Sequence, residues 1–269
     1  MNIRTFIVFY LSLLINISCN THENNKNTLK TDNMINKIEF SSLHGKRVYF
    51  GHQSVGFNII RGLDSLIKKN NVLNFIKVIT LGEYLSLMIP ENDSSFYFVH
   101  SVIGENGSPK SKLDDFQHKI DILKQIDAAF LKLCFVDFDC NTDVNLLYSN
   151  YLDNITELEK KYADIKFVYF TVPITTKRNI INRVAKIILS RRDYSFKRSQ
   201  FNKLIRETSN IKFFDIAYLE SHLENDTTEN QEEYLLKTYA SDAGHLNSIG
   251  SEKVALHLLN YLNNLLKEK

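Results

Sequence analysis

The 269-residue chain has no tryptophan, only three prolines and only three cysteines. Three cysteines cannot build the disulfide framework that staples small secreted domains, and nothing in the chain is spaced like a zinc site. With so little proline there is no proline-rich linker. No low-complexity segment or internal repeat follows residue 35, so the chain reads as one domain. Charge of either sign is not in excess: 33 Lys and Arg face 31 Asp and Glu, for a net charge of +2. Such a chain projects no overall field toward nucleic acid. What remains is ordinary globular composition, 43% hydrophobic and 24% charged, long enough for one α/β domain.

The amino terminus stands apart. MNIRTFIVFYLSLLINISC has one early cation, Arg4, then an apolar run from Phe6 to Ile17 that is too short for a membrane span. Ser18-Cys19 ends it, and polar sequence follows to about residue 39. The arrangement resembles a bacterial lipoprotein signal over residues 1–19, with lipid on Cys19 and residues 20–39 as a tether for a domain over 40–269. A plain secretory signal cut nearby is the alternative. Either implies export, and the lipoprotein reading places the protein in the cell envelope, held to the membrane by its anchor alone.

Six β-rich runs lie at 46–50, 75–81, 96–102, 128–135, 165–172 and 211–216, most of them continuously apolar, as when both faces of a sheet are covered. Cys134 falls in one of them and reads as a buried thiol. Helical patterns occupy 55–69, 112–125, 145–163, 196–208 and 250–267, the last with a stripe of Val254, Leu258, Leu262 and Leu265 and a cap at Asn247 or Ser248. The alternation predicts an α/β/α sandwich around a parallel sheet of about five strands. Residues 176–206 carry ten cations and one acid, Asp193. They read as a solvated helical face or as a lid for anionic glycans or headgroups.

Ligands of open parallel sheets sit beyond the carboxyl ends of the strands. The first strand delivers Gly51-His52-Gln53-Ser54-Val55-Gly56 to that edge. A serine on a strand-to-helix turn presents its hydroxyl outward, and its own amide lies at a helix N-terminus facing any oxyanion formed there. The hydroxyl needs a base. SDAGHLNSIGSEKVA, before the last helix, offers one: Asp242 can reach Nδ1 of His245 and leave Nε2 for a serine. A capping loop whose Asp and His bond only backbone is the structural alternative.

An early Ser54 and a late Asp242-x-x-His245 running into a helix as HLN-x-x-G resemble the SGNH/GDSL hydrolase superfamily, over roughly residues 46–266. KRSQFNKLIRE followed by IKFFDI is similar to its penultimate helix and strand. The resemblance implies a flavodoxin-like three-layer fold and a serine esterase with no cofactor and no metal. Ser54 would be the nucleophile, His245 the base and Asp242 its orienter. The oxyanion hole would be formed by the amides of Ser54 and a glycine in HSVIGENGSPKSKLDDF, Gly107 rather than Gly104. Two departures stand out. Gly-His-Gln-Ser replaces Gly-Asp-Ser, and no asparagine aligns in KLCFVDF, where the family supplies a further donor. Asp137 is nearest, and an ionised carboxylate there would repel an oxyanion. It can serve only when protonated or by orienting another donor. Asn106 is the candidate replacement.

His52 and His100 lie at strand ends, as pocket residues or satisfied structural histidines. His44, His118, His222 and His257 read as surface or helix residues. By analogy the substrate is a small-molecule or carbohydrate ester, such as an O-acetyl ester. Two other readings stay open: a non-catalytic glycan-binding or envelope-assembly module, and an O-acyltransferase in which a sugar hydroxyl replaces water. The amino-terminal reading gives a direct test. Expressed in a bacterium with labelled fatty acid, the full chain should take up label and Cys19→Ala should not, whereas equal labelling of the two would exclude the anchor.

Overall fold

The computed structural model describes residue 35 and residues 38–123, 125–177, 194–222 and 233–267. Cys19 and nearly all of the expected signal and tether lie outside these residues. The chain divides into two units, Met1–Glu39 and Phe40–Lys269, and the sheet with its helices belongs to the second.

Six strands form one sheet: β1 (Arg47–His52), β2 (Ile76–Thr80), β3 (Phe96–Val102), β4 (Ala128–Leu131), β5 (Lys166–Phe170) and β6 (Phe213–Phe214). All pairings are parallel, in the order β2-β3-β1-β4-β5-β6. The sheet thus has six strands where the sequence predicts about five. The run predicted over 128–135 stops pairing at Leu131, because the chain leaves the sheet for a short 3-10 turn at Phe135–Asp137. Cys134 is fully buried beyond the strand's end.

Seven α-helices are described: α1 (Val55–Lys69), α2 (Leu81–Ser86), α3 (Pro109–Ile122), α4 (Val144–Lys161), α5 (Ser195–Glu207), α6 (Ile216–Ser221) and α7 (Ser248–Lys267). The sequence periodicity does not reveal α2 and α6, whose six residues each are too few to set up a helical stripe. Their signals are local: a Thr80–Glu83 capping box for α2 and the Asp215 carboxylate on the Tyr218 amide for α6. At α7 the Asn247 side chain accepts from the Gly250 amide at 3.0 Å, so Asn247 is the cap.

Alternate strand residues face opposite layers. Tyr49, Val99, Ala129, Phe167 and Tyr169 pack with Phe116 of α3, Tyr151 of α4 and Phe201 of α5. On the other face, Phe50 stacks with Phe130 and Phe170, Phe214 meets Tyr261 of α7, and His52 meets Phe57 of α1. Since α1 follows β1 onto one face and α3 follows β3 onto the other, the loops leaving these neighbouring strands diverge. That divergence marks the sheet's carboxyl edge where open α/β folds place their ligands.

Part of the basic stretch, 178–193, lies outside the described residues. Its described cations are engaged within the chain. Lys177 sits over the Tyr234 ring, and Lys197 donates to the carbonyls of Cys140 and Thr142. Arg198 is buried and donates to Thr175, Lys203 pairs with Glu207, and Arg206 with Asp215 and Glu233.

Helices α1 and α7 approach closely at Gly62, where a Cβ would fall 2.2 Å from the Ser251 carbonyl oxygen. Backbone cannot yield as a side chain can. Gly62→Ala should therefore destabilise the fold by about 1–3 kcal/mol despite alanine's better helix propensity. Denaturant unfolding reads this directly, and a neutral or stabilising result would contradict it.

Candidate active site

The segment Gly51–Gly56 leaves β1 and enters α1. Each residue has a local reason. A Cβ at Gly51 would press on Phe116 and Ile103, and one at Gly56 would fall 2.4 Å from the His52 Cβ. The Gly56 amide donates to the Gln53 carbonyl at 2.9 Å, closing a four-residue turn. Ser54 occupies its second position with φ 51° and ψ −111°. That is the geometry of a type II′ turn, in which this position is normally glycine. A serine held there costs on the order of 1–3 kcal/mol.

Ser54 Oγ lies 2.8 Å from His245 Nε2, across 191 residues of sequence. The other ring nitrogen, Nδ1, faces Asp242 at 2.9 Å from Oδ2 and 3.0 Å from Oδ1. Asp242 also accepts from the Gly244 amide at 2.8 Å and the His245 amide at 2.9 Å. These bonds, the Gly244 amide first and then His245, hold its carboxyl below the usual value, so it is ionised at neutral pH. With the carboxylate accepting from Nδ1–H, Nε2 is the acceptor for the serine hydroxyl.

Three residues that sequence reasoning left aside hold this relay. The buried Asn58 of α1 donates to the Leu246 carbonyl at 2.8 Å and ties the His245 loop to the helix that follows Ser54. Phe135 meets the His245 ring edge-on, 5.7 Å between centroids. Gly244 is required beneath that ring, because a Cβ would sit 2.6 Å from Phe135 Cε1. Only tertiary placement makes these residues visible. Gln53, which the sequence does bring forward, bridges the loops after β1 and β3 by donating to the carbonyls of Ile103 at 3.1 Å and Gly104 at 2.5 Å.

The amide of Gly107, the glycine expected to face an oxyanion, and that of its alternative Gly104 are both engaged by carboxylates. The Gly107 amide donates to Asp137 Oδ1 and the Gly104 amide to Asp115 Oδ2, each at 2.8 Å. A backbone amide has one hydrogen, so in this arrangement both are spent. Helix α1 begins at Val55, so the Ser54 amide precedes it, while in the first turn the amides of Gly56 and Phe57 donate to the carbonyls of Gln53 and Ser54, each at 2.9 Å. Asp137 is buried and forms an ion pair with Lys112 at 2.7 Å, both side chains wholly inaccessible. Lys112 also donates to Asn106 Oδ1 at 3.0 Å.

His52 and His100 come together, Nε2 to Nδ1 at 3.0 Å, and neither bonds to the Ser54, His245 and Asp242 relay. Burial lowers both from the usual imidazole value, His52 to about 3 with smaller contributions from His100 and Lys132. Among the described residues no group of three His, Cys, Asp or Glu side chains is arranged to hold a metal ion.

A groove of about 590 Å³ runs between α3 and α4. Its lining does not include Ser54 or His245 but does include Gly107 and Asp137, from the loops after β3 and β4. Amides of Gln117, Asn150 and Asn154 and the carboxylates of Asp153 and Glu157 line it over Leu113 and Leu147.

No protein-family model and no curated protein matches the chain. Solved structures do. A "putative acylhydrolase" of Bacteroides fragilis is 15% identical, with a TM-score of 0.52 over 83% of this chain and 86% of that one. A carbohydrate esterase family 3 protein of Talaromyces cellulolyticus is 12% identical, with a TM-score of 0.47 over 83% and 99%. The periplasmic domain of a lipopolysaccharide acetyltransferase of Salmonella ser. Paratyphi A is 12% identical, with a TM-score of 0.46 over 83% and 85%. At such identities the likeness is one of fold alone, and the open parallel sheet with its helices is the fold shared with the acylhydrolase structure.

The buried histidine predicts an acid sensitivity. Unfolded histidine takes up a proton near pH 6.5, whereas His52 in the fold does so only near pH 3. Between those values the unfolded chain binds the extra proton, so this contribution to stability is lost as pH falls. His52→Gln should therefore lose less stability than wild type between pH 8 and pH 5 in denaturant titrations. An equal loss in both would show that His52 is not held neutral.

Proposed function

We propose that this protein is a serine esterase that hydrolyses acyl esters, with Ser54 as nucleophile, His245 as general base and then acid, and Asp242 as the group that orients and stabilises His245. The observation that carries the reading is the continuous relay from Ser54 Oγ through both nitrogens of His245 to an ionised Asp242. His245 removes the hydroxyl proton as Ser54 Oγ bonds to the ester carbonyl carbon, and the carbonyl oxygen becomes an oxyanion facing the amide of Ser54. Collapse expels the alcohol, which takes the proton from His245. Water, deprotonated by the same nitrogen, then releases the acid and restores Ser54. The strained turn supports the assignment, since a serine where glycine fits better is retained at a cost.

The ester we propose is one on carbohydrate, such as an O-acetyl group. The groove between α3 and α4 supports this, because amides and carboxylates over a partly apolar floor suit the hydroxyls and ring faces of a sugar. Its carboxylates favour a neutral or cationic saccharide over an anionic one. Envelope location through lipid on Cys19 belongs to the same proposal. One observation favours the rival reading of a non-catalytic binding module: the amides of Gly104 and Gly107 are both engaged by carboxylates.

Turnover of p-nitrophenyl acetate and of acetylated polysaccharide decides between them. Ser54→Ala and His245→Ala should each reduce kcat on the order of 10³-fold or more, and Asp242→Asn by as much or less. Ser54→Gly should be equally inactive yet about 1 kcal/mol more stable than Ser54→Ala, because glycine relieves the positive φ. Full activity in Ser54→Ala would move the chemistry elsewhere, and an inactive wild type on every acyl ester would favour the binding module.

A further inference from the structure

Asn58 fastens the end of the His245 loop to α1 through the Leu246 carbonyl. The Asp242 end of that loop rests on the chain that follows β5. The Thr176 amide donates to the carbonyl of Ala243, the residue after Asp242, at 2.9 Å. The segment leading toward Asp242 is held in the same place, since the Leu235 amide donates to the Thr175 carbonyl at 3.1 Å. What fixes the loop after β5 is a carboxyl group on α6. Glu220 Oε2 accepts from the Ile174 amide at 2.7 Å, and the Glu220 carbonyl accepts from the Leu236 amide at 3.0 Å. One residue therefore grips both segments on which the Asp242 end of the loop depends.

Glu220 is 1% exposed, and among the described residues its Oε1 has no hydrogen-bond partner. A buried carboxylate with one oxygen unpaired is costly, and a proton on that oxygen removes the cost. The groups around it do not reverse this. Lys132 after β4 and Arg198 of α5 favour the charged form, as does the Ile174 amide, and Asp215 before α6 opposes it. Lys253 of α7 is turned to the His222 carbonyl and the Tyr239 hydroxyl. Burial outweighs the favourable contacts and pushes the carboxyl up to about 8, so Glu220 is protonated at neutral pH.

We propose that Glu220 is a positioning residue for the relay: through the Ile174 amide it fixes the loop after β5, and through that loop the place of Asp242 and His245. The inference rests on the serine-esterase reading and adds a group that never touches substrate. Ionisation undoes the arrangement. A buried carboxylate with an unpaired oxygen is drawn toward Lys132 and Arg198 or admits water, and either response moves Ile174 and the loop it holds. A displacement of about 1 Å at reacting groups can cost on the order of 10²-fold in rate.

The test measures kcat and KM for p-nitrophenyl acetate between about pH 6 and about pH 9.5, corrected for spontaneous hydrolysis. Wild-type kcat should fall about tenfold or more as the pH passes about 8, with KM little changed. Glutamine keeps an acceptor for the Ile174 amide and cannot ionise. Glu220→Gln should therefore match wild type at neutral pH and stay level above it, whereas a purely structural role would leave the two profiles alike. Glu220→Ala, which lacks that acceptor, should be slower at every pH. Stability gives a readout that needs no turnover. Glutamate ordinarily loses its proton near pH 4.5 and folded Glu220 only near 8, so between these values the folded chain binds the extra proton. Wild type should thus lose stability relative to Glu220→Gln as pH rises through that range, and an equal loss in both would overturn the inference. If Glu220→Ala fails to fold, the glutamine profile decides. The same alkaline decline in Glu220→Gln as in wild type, or none in either, with Ser54→Ala inactive, would overturn this inference and leave the esterase reading standing. A wild type inactive on every acyl ester would overturn the esterase reading, and this inference with it.

Discussion

The relay of Ser54, His245 and Asp242 depends on how helices α1 and α7 pack. Ser54 immediately precedes one and the His245 loop immediately precedes the other, so the distance between hydroxyl and imidazole follows from the helix approach. That approach is close because Gly62 lets α1 reach the Ser251 carbonyl. The hydrogen bond from Asn58 to the Leu246 carbonyl then fixes one helix start against the other. A relay of two hydrogen bonds near 2.9 Å tolerates little displacement, since reacting groups have to sit within a few tenths of an ångström of their working positions. The largest contact between described elements therefore also frames this relay.

Around that frame the carboxyl edge of the sheet is fastened by half-buried and buried polar groups as well as by apolar packing. Gln53 joins the loops after β1 and β3, and the Lys112–Asp137 pair joins the loops after β3 and β4. Such groups are satisfied in one arrangement only, and any shift exposes a desolvated charge or amide to the full penalty. They add little net stability over apolar substitutes. What they supply is a single loop conformation, on the same edge where a serine is already held in a strained turn.

The sheet and its main helices were legible because they depend on local pattern. Runs such as FYFVHSV and IKFVYFTV are apolar on both faces, and a stripe such as Val254, Leu258, Leu262 and Leu265 has helical period. The relay residues were legible for a different reason. Asp242 and His245 are three apart on one loop, and Ser54 follows a strand between two glycines, so each half of the constellation is a local motif. The edge of the site was read less well. Gly107 looked like an oxyanion donor because its surroundings resemble a donor loop, yet its amide turns to a carboxylate 30 positions away.

The sequence by itself determined the alternation of strands and helices, the strand end that carries Ser54, and the loop on which Asp242 faces His245. All of these follow from residue order over fewer than about twenty positions. Tertiary structure decided everything that requires two distant segments to meet. Asn58 reaches Leu246, Phe135 lies against His245, and Asp137 meets Lys112. Asp137 is the clearest case. Its chemistry depends on whether a counter-ion is buried beside it, and that lysine stands on another helix, where no spacing in the chain announces it.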